Sequence, residues 1–465
     1  MTTYRRAFPD TAIAAAAGLL AVVLGMVVVK SPMLAIAAAG LTVLIVAGAV
    51  DPTLPAIAWL AVAPFVQAIE PGSPVLALTI AFHRALLPIA AVGTLFGEAL
   101  RRRLRLTVPE RFLLLFLAYA LVSLFITWRG QFSTPEGAEA VRTFLFAHVV
   151  PFGALVIASR LPASSHRKVF VMLTVVAAVS AVGALVQSVA GVAVFPGGAV
   201  WQEIWDPRAA GALANPAVSG YVAHVGTFVA IYLGFRYAAL RLFAFGVAAA
   251  GAVFTVLTYT RSAWVAFALG LATIAWLYRK ARPWVIVFSV TALAAFTFNV
   301  GGFVDTAFLE ERAGNRENAA GRVAFGSTGF RMFKDQPLVG QGFGAYDTNA
   351  RQFASGFGQV GAAVAFRETS HNSFLTILAE LGAAGFLMYA GACYFGIRSS
   401  VRALRRGGPD VDRLLIVALL AGLVSYFVSA NLIDMRFFSF AVSLFWFNVG
   451  LTSAVVERPP ETSPR

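Results

Sequence analysis

Runs of apolar residues long enough to cross a bilayer recur from one end of this chain to the other. A helix needs about 20 such residues to span the hydrocarbon core, and backbone at that depth must satisfy its own hydrogen bonds. The expected fold is therefore all-α, a polytopic transmembrane helical bundle with about 12–14 spans. We place the runs near residues 11–29, 32–50, 54–69, 74–99, 111–127, 143–159, 168–190, 216–234, 241–259, 262–278, 283–300, 371–396, 413–430 and 437–455. The third is short and the fourth carries His83 and Arg84, so both are candidates for irregular or re-entrant segments.

Charge orients the bundle. Only 12% of the 465 residues are charged, yet the formal net charge is +14. In a soluble domain that excess suggests nucleic acid. Here it falls in short loops between apolar runs, which marks topology and gives no reason to expect a nucleic-acid partner. With Arg5 and Arg6 placed in the cytoplasm, the clusters 101–111, 160–168, 236–241, 279–282 and 398–413 all fall on the same side. The loops 128–142 and 191–215, the segment 301–370 and Arg261 in its tight turn then face outward. The sequence so divides into an N-terminal bundle at 1–300, an outer loop at 301–370, C-terminal helices at 371–455 and a disordered cytoplasmic tail at 456–465. The single cysteine, Cys393, lies in an apolar run and cannot form an internal disulfide.

The segment 301–370 carries seven basic and seven acidic residues, so its arginines are not explained by topology. Between 319 and 335, Val323, Phe325, Phe330, Met332 and Phe333 mix with Arg322, Arg331 and Lys334, as in a helix lying in the interface. Pro337 ends that helix, and Gly340, Gly342 and Gly344 permit tight turns. A glycine-rich loop suits a phosphate cradle or a plain turn equally.

Next comes HNSFLTILAELGAAGF, residues 371–386. His371 and Asn372 stand at the water interface, and Gly382 and Gly385 would let another helix approach closely. Arginine holds phosphate through two parallel hydrogen bonds and stays charged. Arg261, between two apolar spans, and Arg322 are the candidates to hold a diphosphate, against a plain reading as head-group contacts. A neutral His371 nearby can take a proton from a hydroxyl. That combination suits glycosyl transfer from a lipid diphosphate sugar to an acceptor hydroxyl. Glu136, Glu139 and Arg142 either contact a sugar or solvate their loop; His148 and His224 read as buried, hydrogen-bonded histidines. Glu380 is nine residues from His371, too deep for contact, and Asp434 with Arg436 reads as a local pair.

Four segments, in order, resemble the O-antigen ligase and O-antigen polymerase superfamily of bacterial membrane glycosyltransferases. They are RAAGALANPAVSGY (208–221), YTRSAW (259–264), GRVAFGSTGFRMFKDQPLVGQGFGAY (321–346) and the His-Asn segment followed by Gly-x-x-Gly (371–386). The resemblance implies a polyprenyl-diphosphate-linked glycan as donor, of the undecaprenyl type, and a lipid or saccharide acceptor. It implies His371 as catalytic base and Arg261 and Arg322 on the diphosphate, with Arg208, Asn372, Gly340 and Gly342 supporting. It further implies an inverting reaction without metal or nucleotide cofactor, at the outer face of the plasma membrane. Ligation to a lipid A core, polymerisation of repeat units and transfer to protein stay open. From other classes, a lipid-linked glycan flippase or transporter would place charges along a path at the bilayer midplane, and a structural scaffold would leave Arg261 unexplained.

Overall fold

A computed structural model describes residues 32–66, 74–101, 104–192, 194–195, 208–213, 215–297, 317–354, 370–406 and 410–457. Those residues form a polytopic bundle of fifteen helices and hold no strand. In chain order they are α1 (Pro32–Val50), α2 (Thr53–Val66), α3 (Pro74–Leu100), α4 (Val108–Thr127) and α5 (Pro135–Ser159), then α6 (Ala163–Ala190), α7 (Pro216–Arg236), α8 (Arg241–Leu257), α9 (Arg261–Leu277) and α10 (Arg282–Thr297). There follow α11 (Glu317–Asp335), α12 (Tyr346–Phe353), α13 (Ser373–Arg406), α14 (Asp410–Ala430) and α15 (Ser439–Glu457). Among the described residues seven helices are long and apolar enough to cross a membrane, with shorter apolar helices beside them. The run expected at 11–29 lies outside the described residues.

Local chemistry sets the helix starts. Thr107 and Glu110 form a capping box at the start of α4, and Pro109 supplies a preset φ there. Thr134 caps α5, whose first residue is Pro135, so the helix begins well before the span expected at 143–159. Asn215 caps α7, accepting from the Ala217 and Val218 N–H groups at 2.9 and 3.3 Å. α7 is the centre of the bundle, buried along most of its length between α6, α8 and α14. α5 packs on α15, α9 on α14, α1 on α3, and α4 on α13. The run containing His83 and Arg84 is a continuous helix with Pro88 inside it.

Two departures position the site. α13 is not one helix: Gly382 takes φ 61° and ψ −167° and breaks it. What approaches Gly382 is not another helix, as its spacing from Gly385 suggested, but the loop 337–342. Helix α4 does come close at Gly385, where Tyr119 would meet an added Cβ. Second, the expected interfacial helix is α11, but its apolar residues split between two faces. Phe325 and Met332 are buried, while Val323 and Phe330 are exposed.

Candidate functional site

The loops at one end of the bundle are tied to each other. Ala209 N–H donates to the Leu257 carbonyl at 3.0 Å, which sets Arg208 against the α8–α9 turn four residues before Arg261. Asn372 Nδ2 donates to the Asn431 carbonyl and Oδ1, each at 3.3 Å, joining the start of α13 to the α14–α15 loop. Trp128 Nε1 donates to the Phe343 carbonyl at 2.8 Å, and Phe343 N–H donates to Ser123 Oγ at 3.1 Å. The glycine-rich loop is thus wedged between α4 and α13.

That wedge has little to offer a phosphate. Gln341 and Gly342 N–H groups donate to the Ala379 and Glu380 carbonyls at 3.0 and 2.9 Å. In return Ala383 and Ala384 N–H groups donate to the Pro337 and Leu338 carbonyls at 2.8 and 3.2 Å. The groups orphaned by the break at Gly382 are satisfied by the loop, as buried backbone requires. A Cβ on Gly340 would stand 2.3 Å from the Glu380 carbonyl, and one on Gly342 2.2 Å from Thr127 Oγ1. These glycines serve close backbone approach.

Arg261, Arg322 and His371 gather around α11. Arg261 opens α9 after a tight turn in which Tyr259 has φ 46°. Both residues are exposed over much of their surface. Arg322 is still crowded: burial and, second, the charge of Arg261 hold its pKa below the usual arginine range. Two cations held within each other's field are a poor arrangement for stability and a good one for an anion. The His371 ring packs edge-on against Phe325, with centroids 5.1 Å apart. Phe325 lies three residues after Arg322, so both side chains project from neighbouring positions of α11. His371 has φ 52°. Tyr259 and His371 are the two non-glycine residues with positive φ among the described residues; one lies two residues before the candidate Arg261 and the other is itself a candidate.

Asn372 is the N-cap of α13: its Oδ1 accepts from the Phe374 and Leu375 N–H groups, both at 3.0 Å. Ser370 Oγ accepts from the Asn372 N–H at 3.1 Å and lies 2.8 Å from its carbonyl, bracketing His371.

Residues the sequence reading set aside form the most buried part of this end. Arg436 Nη1 donates to Glu380 Oε2 at 2.8 Å, and its Nη2 and Nε donate to Asp434 Oδ2 and Oδ1 at 2.9 and 3.1 Å. All three are buried. The Asp434–Arg436 pair is local, as expected, but it reaches a third partner across the bundle. Burial works to raise the Asp434 carboxyl; the Arg436 guanidinium and the surrounding donors overcome that and leave it below the usual carboxylate range. Asp347, on α12, is raised, first by burial. The missed signal is an acid and an arginine at a loop tip in a chain so poor in charge.

Other expectations resolve locally. Glu139 and Arg142 form an exposed pair at 3.0 Å. Arg84 stacks over Phe146, 4.7 Å from the ring centroid. His224 Nδ1 meets Ser425 Oγ at 2.8 Å. His148, on a π-helical turn at Leu145–Val149, is buried among Phe116, Phe343 and Tyr389 with no hydrogen-bond partner on either nitrogen among the described residues, contrary to expectation. The side chain of His83 lies outside the described residues. Among the described residues no cluster of His, Cys, Asp or Glu is arranged to hold a metal.

Residues 244–390 match the family model described as O-antigen ligase. That interval runs from α8 into α13. It includes Arg261, Arg322, Gly340, Gly342, His371, Asn372 and Glu380, and excludes Arg208, Asp434 and Arg436. No curated protein matches the chain.

Proposed function

We propose that this chain, which belongs through its residues 244–390 to the O-antigen ligase and polymerase superfamily, is an inverting glycosyltransferase of the ligase type. Its donor is a polyprenyl-diphosphate-linked glycan and its acceptor a hydroxyl on a lipid A core or a saccharide. The membrane is the plasma membrane and the site faces away from the cytoplasm, in keeping with the basic loops on the opposite side. The observation that carries this reading is the pair Arg261 and Arg322, close enough for one charge to depress the pKa of the other, with His371 against the same helix.

In the step we propose, the acceptor oxygen attacks the anomeric carbon as His371 removes its proton. The bond from that carbon to the diphosphate oxygen breaks, and the electron pair leaves with the polyprenyl diphosphate. Arg261 and Arg322 neutralise the charge that develops on the leaving diphosphate, the stage at which fixed cations lower a barrier most. One displacement inverts the anomeric centre. The sequence resemblance assigns no metal to this step, and the arginines supply the positive charge.

A deletion strain tests the reading, with its lipid-linked glycans extracted and sized. Long chains accumulating on the lipid are expected, and a His371→Ala protein that inserts normally should leave the same accumulation. Accumulated single repeat units would make the enzyme a polymerase. Donor of normal length trapped on the cytoplasmic leaflet would overturn the enzyme reading and favour a flippase. Wild-type product from His371→Ala would remove the histidine from the mechanism.

A further inference from the structure

We propose that Arg436 is a positioning residue for His371, acting through two separate chains of contacts that begin at its guanidinium and end at the histidine. The inference rests on His371 being the base proposed above. Neither chain uses Arg261 or Arg322, the residues proposed above to hold the donor diphosphate.

The first chain fixes the histidine backbone. Arg436 grips both oxygens of Asp434, and Asp434 Oδ2 accepts from Thr376 Oγ1 at 3.2 Å. Thr376 Oγ1 also bonds to Ser370 Oγ and stands 3.0 Å from the Asn372 carbonyl. Ser370 and Asn372 are the two neighbours of His371, whose φ of 52° is unfavourable for a residue with a Cβ. The hydroxyls of Ser370 and Thr376 therefore hold a strained turn, and Asp434 holds the hydroxyls. A third tie reinforces it: the Met435 N–H donates to Ser373 Oγ at 2.8 Å.

The second chain fixes the surface on which the ring rests. Arg436 Nη1 holds Glu380 Oε2, and Glu380 Oε1 accepts from the Tyr346 N–H at 3.3 Å. The Tyr346 hydroxyl donates to the Phe325 carbonyl at 3.2 Å. The Phe325 ring is the one packed against His371. The two chains thus reach His371 through its backbone neighbours and through its ring, and share one origin. Thr376, Tyr346, Glu380, Asp434 and Arg436 are all buried, so these contacts are shielded from competing water.

Replacing Arg436 itself would strand two carboxylates and threaten folding, so the test falls on the links. Thr376→Val keeps the shape and removes the hydroxyl; Tyr346→Phe removes only the oxygen. Each purified full-length variant is assayed with lipid-linked glycan from the deletion strain as donor, at varied concentration, and membranes of that strain as acceptor. We expect kcat to fall about tenfold or more in each variant, since small misplacements of a catalytic group are expensive. KM for the donor and the thermal midpoint should stay near wild type, and Thr376→Ser should restore the rate. Wild-type kcat in both Thr376→Val and Tyr346→Phe would overturn the proposal, as would a loss of rate matched by a lower midpoint and not restored by serine. A wild-type protein with no transfer at all would instead defeat the functional reading.

Discussion

Two buried arginine clusters, one at each end of the bundle, use the same chemistry to different ends. At one end Arg160 lies between Glu98, at 2.9 Å, and Glu110, which is fully buried. At the other Arg436 lies between Glu380 and Asp434. Helix α4 links them, with Glu110 in its first turn and Thr127, against Gly342, at its last. At about 1.5 Å per residue, Glu110 and Thr127 stand roughly 26 Å apart along the helix. The difference lies in what each carboxylate does next. Glu110 closes the capping box of its own helix and accepts from Ser159 Oγ at 2.6 Å, so the charge is spent on local helix ends. Glu380 and Asp434 pass their hydrogen bonds on to the loops that surround His371. A buried ion pair is thus weak evidence of function by itself; its outward connections are what distinguish the two.

The largest expected effect comes from removing each arginine in turn. Arg436→Ala should cost about 3–5 kcal/mol, because it leaves two buried carboxylates uncompensated. Arg160→Ala should cost less, since Glu98 is 26% exposed in its side chain and can rehydrate. Thermal midpoints in detergent measure both. Glycan transfer per folded molecule should vanish in the first and persist in the second. Loss of transfer per folded Arg160→Ala molecule would break the contrast drawn between the two ends.

A smaller effect separates the loop from the ions. Gly382→Ala puts a side chain at φ 61° and a Cβ 2.4 Å from the Leu338 carbonyl. We expect a loss on the order of 1–3 kcal/mol and a marked drop in transfer, with the Arg160 end unaffected. Hydrogen exchange of α4 amides reads the two ends separately. The smallest effect is on pH. The Asp434 carboxyl is depressed in the folded protein, so its stabilisation is complete above the unfolded value of about 3.9 and is lost as pH falls through the lower folded value. The midpoint difference between wild type and Asp434→Asn should therefore be constant from about pH 8 to 5 and shrink below about 4.

Most of the fold was legible in the sequence, because a bilayer forces long apolar runs and the runs are plain. The three residues first picked out, Arg261, Arg322 and His371, come together around α11. Their legibility has a physical source: charged or titratable side chains stand out where charge is scarce. Less visible was anything that depended on partners far apart in sequence. Glu380 was set aside because helical spacing puts it too deep to touch His371, and that argument could not see the partner it takes from the α14–α15 loop. The glycines of 337–344 allowed a cradle or a plain turn, and only the structure shows the Gln341 and Gly342 N–H groups occupied by α13 and that of Gly340 by the Gln336 carbonyl. Asn215 and Asn372 sit in motifs that invite a substrate role, while their side chains visibly cap helices.

The pairing of the loop 337–342 with the break in α13 also dictates an order of events. The loop leaves the ribosome before α13 does, and Asp434 and Arg436 leave later than both. Until α13 is in place beside the loop, the amides of Ala383 and Ala384 have no acceptor, and hydrocarbon offers none. The turn that bears His371 gains its contacts with Asp434 and Met435 only when the last loop arrives. A nascent chain carrying every residue through 390 would therefore still lack the contacts that Asp434, Met435 and Arg436 make with α13.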